Sequence, residues 1–376
     1  MISITHTGNL FLDTCLSIMY FFLVSYPILG GFVWFIGVWC YVFLYKHKQK
    51  EWVDVPLSVE PFITIMVPAH NEEIVIEDTI EYLMTKLILS NDADTVPEPD
   101  ALIRYVNYFI RPGARHIAAV TANMDVQNRT KLIAKSQTVE FSSIVGIIKR
   151  TQSAVFGGLY AYSGANTMYR KEALIDVGGF RQDRATEDIS IAWDHQLNDW
   201  LSVFAPEIIF FMEVPVTLKM LYRQRKRWAK GGTEVWLTNF KKVMLHPFKH
   251  IGRTIIFIDQ TLSIVWSIFF CISVVLFAGL IGHYVYQGNY EQIYITFTFS
   301  FVFICFEMVA GFFQLLASLI VDDRRRKLKY LLFAPLYMLL FWIVNAITIV
   351  TTFIPAVKTI LGYGSGTWKS PERTKK

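Results

Sequence analysis

The chain has 376 residues, of which 53% are hydrophobic and only 18% charged, and its mean hydropathy of +0.37 excludes an ordinary soluble globular protein. Its net charge of +5 is no nucleic-acid signature. The excess cations sit beside apolar stretches, where the positive-inside rule accounts for them.

The stretch from Phe11 to Tyr45 is long and apolar enough for one tilted membrane-spanning helix, or for a tight pair broken at Pro27, Gly30 and Gly31. It is too long for a secretory signal and lacks the cleavage pattern, so it is expected to be retained. Lys46, Lys48 and Lys50 follow it and flag the cytoplasmic side.

Residues 62–68, Phe-Ile-Thr-Ile-Met-Val-Pro, read as a buried parallel strand, with Ala69-His70-Asn71-Glu72-Glu73 as the polar turn out of it. A helix is expected next, because Ile76, Thr79, Ile80, Leu83 and Leu87 recur at helical spacing opposite Glu77, Asp78 and Glu81. A strand, a turn and a helix open an α/β unit whose ligand sits at the carboxyl ends of the strands, where Asn71 and Glu72 would stand.

Three polar motifs follow. Asp92-Ala93-Asp94 places two carboxylates in one turn, where they can ligate a divalent cation; the plainer explanation is a solvated turn before Pro97 and Pro99. Thr186-Glu187-Asp188 precedes a helix expected to run through Trp193 and Leu197. Asp188 can act there as a general base, and the plainer role of the three residues is helix capping. Gln224-Arg225-Lys226-Arg227-Trp228 joins a guanidinium fork, suited to phosphate, to a flat aromatic face, suited to a sugar ring. The alternative is a basic run with Trp228 and Trp236 as interfacial anchors, in which Arg223, Arg225, Lys226 and Lys230 supply surface charge.

Residues 233–253 mix apolar side chains with lysines and histidines, as an amphipathic helix at the membrane surface does. A second apolar block runs from about Thr254 to Ile360 and divides at residues 282–292 and 322–329. Only the second divider is basic, which places it on the cytoplasmic side together with Lys241, Lys242, Lys249 and Arg253. The polar domain is therefore expected in the cytoplasm, and the chain in the cell membrane. Asp259, Glu307 and Asn345 interrupt apolar stretches and read as groups lining a hydrated path, with interfacial placement the alternative for Asp259. The four cysteines lie in apolar segments without metal or redox spacing, the histidines show no ligand spacing, and Gly157-Gly158 and Gly231-Gly232 read as tight turns.

Residues 67–73, Asp92-Ala93-Asp94, Thr186-Glu187-Asp188 and Gln224-x-x-Arg227-Trp228 resemble the signature set of processive family 2 glycosyltransferases, the group of cellulose, chitin and hyaluronan synthases. Residues 137–141, 149–153, 227–232 and 368–373 are most similar to the bacterial poly-N-acetylglucosamine synthases of biofilm exopolysaccharide. The resemblance implies a GT-A-like α/β domain over residues 51–240, between an N-terminal membrane segment (1–50) and a helical multi-pass region (241–376). It implies an inverting transfer from UDP-N-acetylglucosamine to a growing β-1,6-linked polysaccharide, coupled to export across the lipid bilayer, with Mg²⁺ or Mn²⁺ as cofactor and room for a small membrane accessory subunit. It assigns the metal to Asp92 and Asp94 and the base to Asp188, assisted by Glu187 and Thr186. Nucleotide and diphosphate contacts fall to Asp92, Arg227, Gln224, Asn71 and Glu72, acceptor stacking to Trp228, and gating to Trp368 and Arg373 in the tail. Gating requires a cytoplasmic tail, hence an even number of crossings after Phe240, with a stretch around Pro335 or Pro355 re-entrant or interfacial, or the first stretch crossing twice.

One departure stands out. Only residues 74–91 separate Glu73 from Asp92, where family members carry roughly two further βα units with an Asp-Asp-Gly-Ser segment for the nucleoside and a Gly-Lys-Ala segment near the diphosphate. The chain reads as shortened there. A related synthase making a chitin-like or hyaluronan-like polymer, and a catalytically inactive membrane subunit, are the competing expectations.

Overall fold

The computed structural model describes residues 9–58, 60–66, 86–322 and 327–363. The turn carrying Asn71 and Glu72, the helix expected over 76–83, and the tail with Trp368 and Arg373 lie outside the described residues.

The chain opens with one unbroken helix, α1 (Leu10–Leu44), with Pro27 inside it and Asn9 capping it through hydrogen bonds from the Phe11 and Leu12 amides. Of the two arrangements open in the sequence, the single helix is the one formed. At 1.5 Å per residue its 35 residues reach about 52 Å, well beyond a hydrocarbon core of about 30 Å. The surplus enters the polar domain, where Gly37 lies so close to Thr151 that a Cβ would collide with it. A short helix, α2 (Lys46–Val53), turns the chain toward the sheet.

Among the described residues six strands form one mixed sheet: β1 (Ile63–Met66), β2 (Leu87–Asn91), β3 (Val96–Pro97), β4 (Ile117–Val126), β5 (Asn166–Arg170) and β6 (Leu201–Met212). Their order is β1-β2-β5-β4-β6-β3, with β1 parallel to β2 and β4 parallel to β6, while β5 runs antiparallel to both its neighbours. Leu87 is a correction to the sequence pattern. It opens β2, not the end of a helix, because Leu87, Ile88 and Leu89 are buried on both faces of the sheet, and Leu87 and Leu89 pack in one apolar cluster and Ile88 in the other. The helix α3 (Ala101–Ile110) covers the first of these faces, and α4 (Leu132–Ser143) lies on the second. A π-helical turn, residues 144–148, carries α4 into α5 (Lys149–Ala154). The short α6 (Lys171–Asp176) and α7 (Glu187–Leu197) complete the domain.

From β6 the chain enters α8 (Leu218–Leu245), then α9 (Ile251–Tyr286), α10 (Tyr290–Val321) and α11 (Ala334–Ile360). Among the described residues four segments are long and apolar enough to cross a membrane: Leu10–Leu44, Ile251–Tyr286, Tyr290–Val321 and Leu328–Ile360. The amphipathic segment expected over 233–253 is redrawn. Its first part is the second half of α8, which also carries the Gln-x-x-Arg-Trp motif, and Arg253 belongs to α9. Gly231 and Gly232 are helical, not a turn; Gly157, at φ 67°, does occupy one. α11 lies alongside α8: Arg225 sits 5.9 Å from the Phe341 ring and Trp236 6.3 Å from Phe353, so both contacts advance together along the two helices. Asp259 finds its partner between helices, accepting a hydrogen bond from the Tyr26 hydroxyl of α1.

A buried ion cluster fastens the membrane helices to the sheet. Asp322, just past α10 and fully buried, accepts hydrogen bonds from Lys327 Nζ (2.8 Å), Ser142 Oγ (3.1 Å) and Asn123 Nδ2 (3.1 Å), and Arg150 Nη2 lies 3.4 Å away. Lys327 also reaches Asp125 at 3.0 Å. Burial opposes ionisation of Asp322, yet Lys327 and Arg150 outweigh it and hold the carboxyl below the usual carboxylate range. Removing one member of such a buried set strands the others and costs about 3–5 kcal/mol. Asp322→Ala should therefore lower the thermal unfolding midpoint of the purified protein far more than an exposed control such as Asp183→Ala; equal midpoints would contradict this fastening.

Candidate active site

At the carboxyl end of β2 the chain makes the turn that presents Asp92 and Asp94. The Thr95 amide donates to the Asp92 carbonyl (3.0 Å), and Asn91 Nδ2 donates to the same carbonyl (3.0 Å) and to that of Thr95 (3.2 Å). The plainer expectation of a turn therefore holds, and the turn leaves both carboxylates half-buried at the sheet edge. Oxygen atoms of Asn91 and Thr95 beside them are buried without a protein partner.

The second motif is brought to this edge by one short chain of contacts. Ser90 Oγ, in β2, donates to the Gly164 carbonyl (2.7 Å), and the Gly164 amide donates to Asp188 Oδ2 (3.3 Å). The approach at Gly164 is close, since a Cβ there would stand 3.2 Å from Glu187 Oε1. Asp188 Oδ1 accepts from the Ile189 amide (2.9 Å), which aims the carboxylate from the first turn of α7. Thr186 is the N-cap residue but its side chain caps nothing; Oγ1 is buried without a partner.

The third motif arrives on α8. Its backbone at Gly231 packs so tightly on Thr186 that any Cβ would overlap the threonine side chain. Three residues on, Glu234 Oε2 accepts from the Ala185 amide (2.9 Å), so α8 pins the segment entering α7. Trp228 is half-buried against the main core, and the Oε1 of Gln224 is buried without a protein partner. Arg225 corrects the sequence reading. It is not surface charge: it is 4% exposed and donates to Glu140 Oε2 at 2.7 Å.

Glu187 shows electrostatically that the three motifs converge. Desolvation by the surrounding protein comes first, although the residue itself is exposed at the surface, and Asp188 and Asp92 join it in pushing the carboxyl up to about 7, against Arg227. Members of all three motifs thus act on one carboxyl. Among the described residues no group of three or more His, Cys, Asp and Glu side chains could hold a metal ion unaided. Asp92 and Asp94, hard oxygen donors one residue apart, are of the kind that would hold a divalent cation.

Lys149 was not singled out from its sequence position. It follows the π-helical turn, is 6% exposed and lies near Asp188; burial lowers its amine to about 8 while Asp188 works the other way. Nothing in the run Lys149-Arg150-Thr151 distinguishes a buried lysine from an exposed one. The local signal is the π-turn, a distortion common at functional sites, and it is invisible in sequence.

The Glu187 value fixes a pH dependence. A carboxyl raised from 4.5 to about 7 is ionised more readily unfolded than folded, so it costs the fold stability as pH climbs from about 4.5 through 7. Glu187→Gln should unfold at a higher temperature than the unaltered chain at pH 8, and the gap should close at pH 4. A gap of the opposite sign at pH 8 would refute the raised carboxyl.

A sequence profile described as glycosyl transferase family group 2 matches residues 87–359. Poly-beta-1,6-N-acetyl-D-glucosamine synthase of Staphylococcus epidermidis is 32% identical over 302 residues, covering 79% of this chain and 70% of that protein. The synthase of the same name from Staphylococcus aureus strain COL is 27% identical over 415 aligned positions, covering 94% of this chain and 98% of the relative. Those 415 positions outnumber the 376 residues present here, so that relative has residues with no counterpart in this chain. A mannosyltransferase of Pyrobaculum calidifontis, solved with GDP-Man and Mn²⁺, superposes with a TM-score of 0.44 at 14% identity, covering 81% of this chain and 99% of its own. With the profile spanning most of the chain and the first relative aligned across more than two thirds of both proteins, this chain belongs to glycosyltransferase family group 2.

Proposed function

We propose that this chain is a membrane-bound inverting glycosyltransferase that extends a β-1,6-linked N-acetylglucosamine polymer from UDP-N-acetylglucosamine on the cytoplasmic face and passes it through its own helices. The observation that carries this reading is the meeting of Asp92, Glu187, Asp188 and Arg227 at one sheet edge, beside a helix that continues to the membrane segments. The names of the staphylococcal relatives supply the polymer. The side of the membrane follows from the basic dividers. Asp322 and Lys327 touch the sheet domain, so this domain shares the side that the positive-inside rule makes cytoplasmic.

In this reading the acceptor hydroxyl oxygen attacks the anomeric carbon of the donor sugar, the bond from that carbon to the diphosphate breaks, and UDP leaves with the electron pair. Asp188 accepts the hydroxyl proton at a carboxylate oxygen held by Gly164 and Ile189. Asp92 and Asp94 would hold Mg²⁺ or Mn²⁺, which when bound neutralises charge growing on the diphosphate. The Arg227 fork meets the same oxygens, Gln224 supports it, and Trp228 takes the acceptor ring. Asn71 and Glu72 are assigned to the nucleotide, and Trp368 and Arg373 to its cover, by resemblance alone.

A second reading is favoured by a specific observation. β1 ends the sheet among the described residues, with Phe62 and Ile65 exposed, and the longer relative has residues this chain lacks. We place that difference between Glu73 and Asp92. It would remove nucleoside contacts and leave a subunit that holds polymer without transferring sugar.

Titrating UDP into the purified full chain separates the two. The synthase reading expects affinity that depends on Mg²⁺ or Mn²⁺ and falls at least about tenfold with Asp94→Ala. Binding that ignores both chelation and that substitution would remove the metal assignment, and no binding at all favours the non-catalytic subunit. If UDP binds, Asp188→Asn should keep that affinity while abolishing polymer formation, because an amide accepts no proton. Linkage analysis of the product distinguishes a β-1,6 polymer from a chitin-like or hyaluronan-like one.

A further inference from the structure

We infer that Glu140 and Arg225 form a positioning device for the acceptor: the buried pair holds the Arg225 guanidinium against the Trp228 ring and so fixes the face on which sugar stacks. The inference rests on the assignment of Trp228 to the acceptor.

Both partners are out of solvent, Glu140 at 1% and Arg225 at 4% exposure, and they meet at 2.7 Å. Stripping water from two ions costs several kcal/mol each, and apolar side chains of the same volume are often as stable, so fastening α4 to α8 does not by itself account for the pair. What an apolar pair could not supply is a planar cation in a fixed orientation. The guanidinium carbon lies 4.2 Å from the centre of the Trp228 ring, one helical turn further along α8, and 5.9 Å from Phe341 of α11. One end of the device is thus anchored in the sheet domain through α4, the other against a membrane segment. Trp228 is only half-buried, which leaves part of the ring open. A fixed ring loses less rotational freedom when a sugar binds than a mobile one, which strengthens binding without a new contact.

The arrangement predicts which substitutions matter. Glu140→Gln keeps the shape but releases Arg225 from its counter-ion. Arg225→Lys keeps the charge but loses the planar fork that stacks on indole while reaching a carboxylate. Neither residue is assigned a contact with donor, metal or diphosphate.

The experiment is a binding cycle on the full-length protein in detergent, with a short β-1,6-N-acetylglucosamine oligosaccharide as probe. Thermal unfolding serves as the folding control. Trp228→Phe should weaken oligosaccharide binding, and Glu140→Gln should weaken it roughly five- to tenfold. Because Glu140 acts through the tryptophan, adding Glu140→Gln to Trp228→Phe should produce much less than the product of the two losses. Arg225→Lys offers a second route should Glu140→Gln fold poorly, with the same loss expected. Losses that multiply independently, or a folded Glu140→Gln or Arg225→Lys chain with unchanged affinity beside a weakened Trp228→Phe, overturn the device alone. Absence of oligosaccharide binding by the unaltered chain, or an unaffected Trp228→Phe, overturns the acceptor assignment itself and the device with it.

Discussion

Ions cannot be left unpaired where a polar domain is pressed against an apolar layer, and this constraint shapes most of the chain. Three buried carboxylates at the junction sit with cations or donors: Asp322 with Lys327 and Arg150, Glu140 with Arg225, Glu234 with Lys230 and the Ala185 amide. None of these sets is cheap, since desolvation consumes most of the Coulombic gain. Their common feature is position. Each ties part of the sheet domain to a helix that leads toward the bilayer. Where apolar contact would allow sliding, a paired ion specifies one register.

The π-helical turn at residues 144–148 is where this arrangement divides. Widening the helix by one residue per turn changes the direction of everything after it. Arg150 and Lys149, consecutive in sequence, consequently serve different anions: Arg150 approaches Asp322 at the membrane junction, while Lys149 lies near Asp188 in the site. A regular helix would also point neighbours apart, but the extra residue sets both directions relative to the sheet.

Much of this could be read before any coordinates. The strand at Ile63–Met66, which forms at the sheet edge half-exposed and not buried as expected, the boundaries of the apolar helices and the three polar motifs follow from period and composition, which are local properties. Asp188 at a helix start was legible because acids favour that position and because the motif spacing is specific. What escaped was decided at long range. Leu87 fits a helical stripe as well as a strand, and only pairing with β1 and β5 selects the strand. Pro27 and the glycines after it leave α1 unbroken because neighbouring elements pack along it. Arg225 looks like its exposed neighbours Arg223 and Lys226, and its partner Glu140 is 85 residues away. Gly231 reads as a turn until the backbone it abuts is known, and then its missing side chain is the reason α8 can approach Thr186 at all.

The side-by-side course of α8 and α11 ties the site to the physical state of its solvent. One face of α11, including Thr348, Thr352 and Ala356, is buried, while Leu339, Ile343, Ile347 and Ile354 are exposed on its other side. Those outward side chains seek hydrocarbon, so a thinner or thicker bilayer changes the tilt at which α11 rests, at a cost of fractions of a kcal/mol per ångström of mismatch. Packed along α11 and bearing Trp228, α8 must follow that tilt while Glu234 and Gly231 keep it against Thr186. Acyl-chain length therefore becomes a mechanical variable of the face that carries Trp228, transmitted by two helices in contact and requiring no ligand.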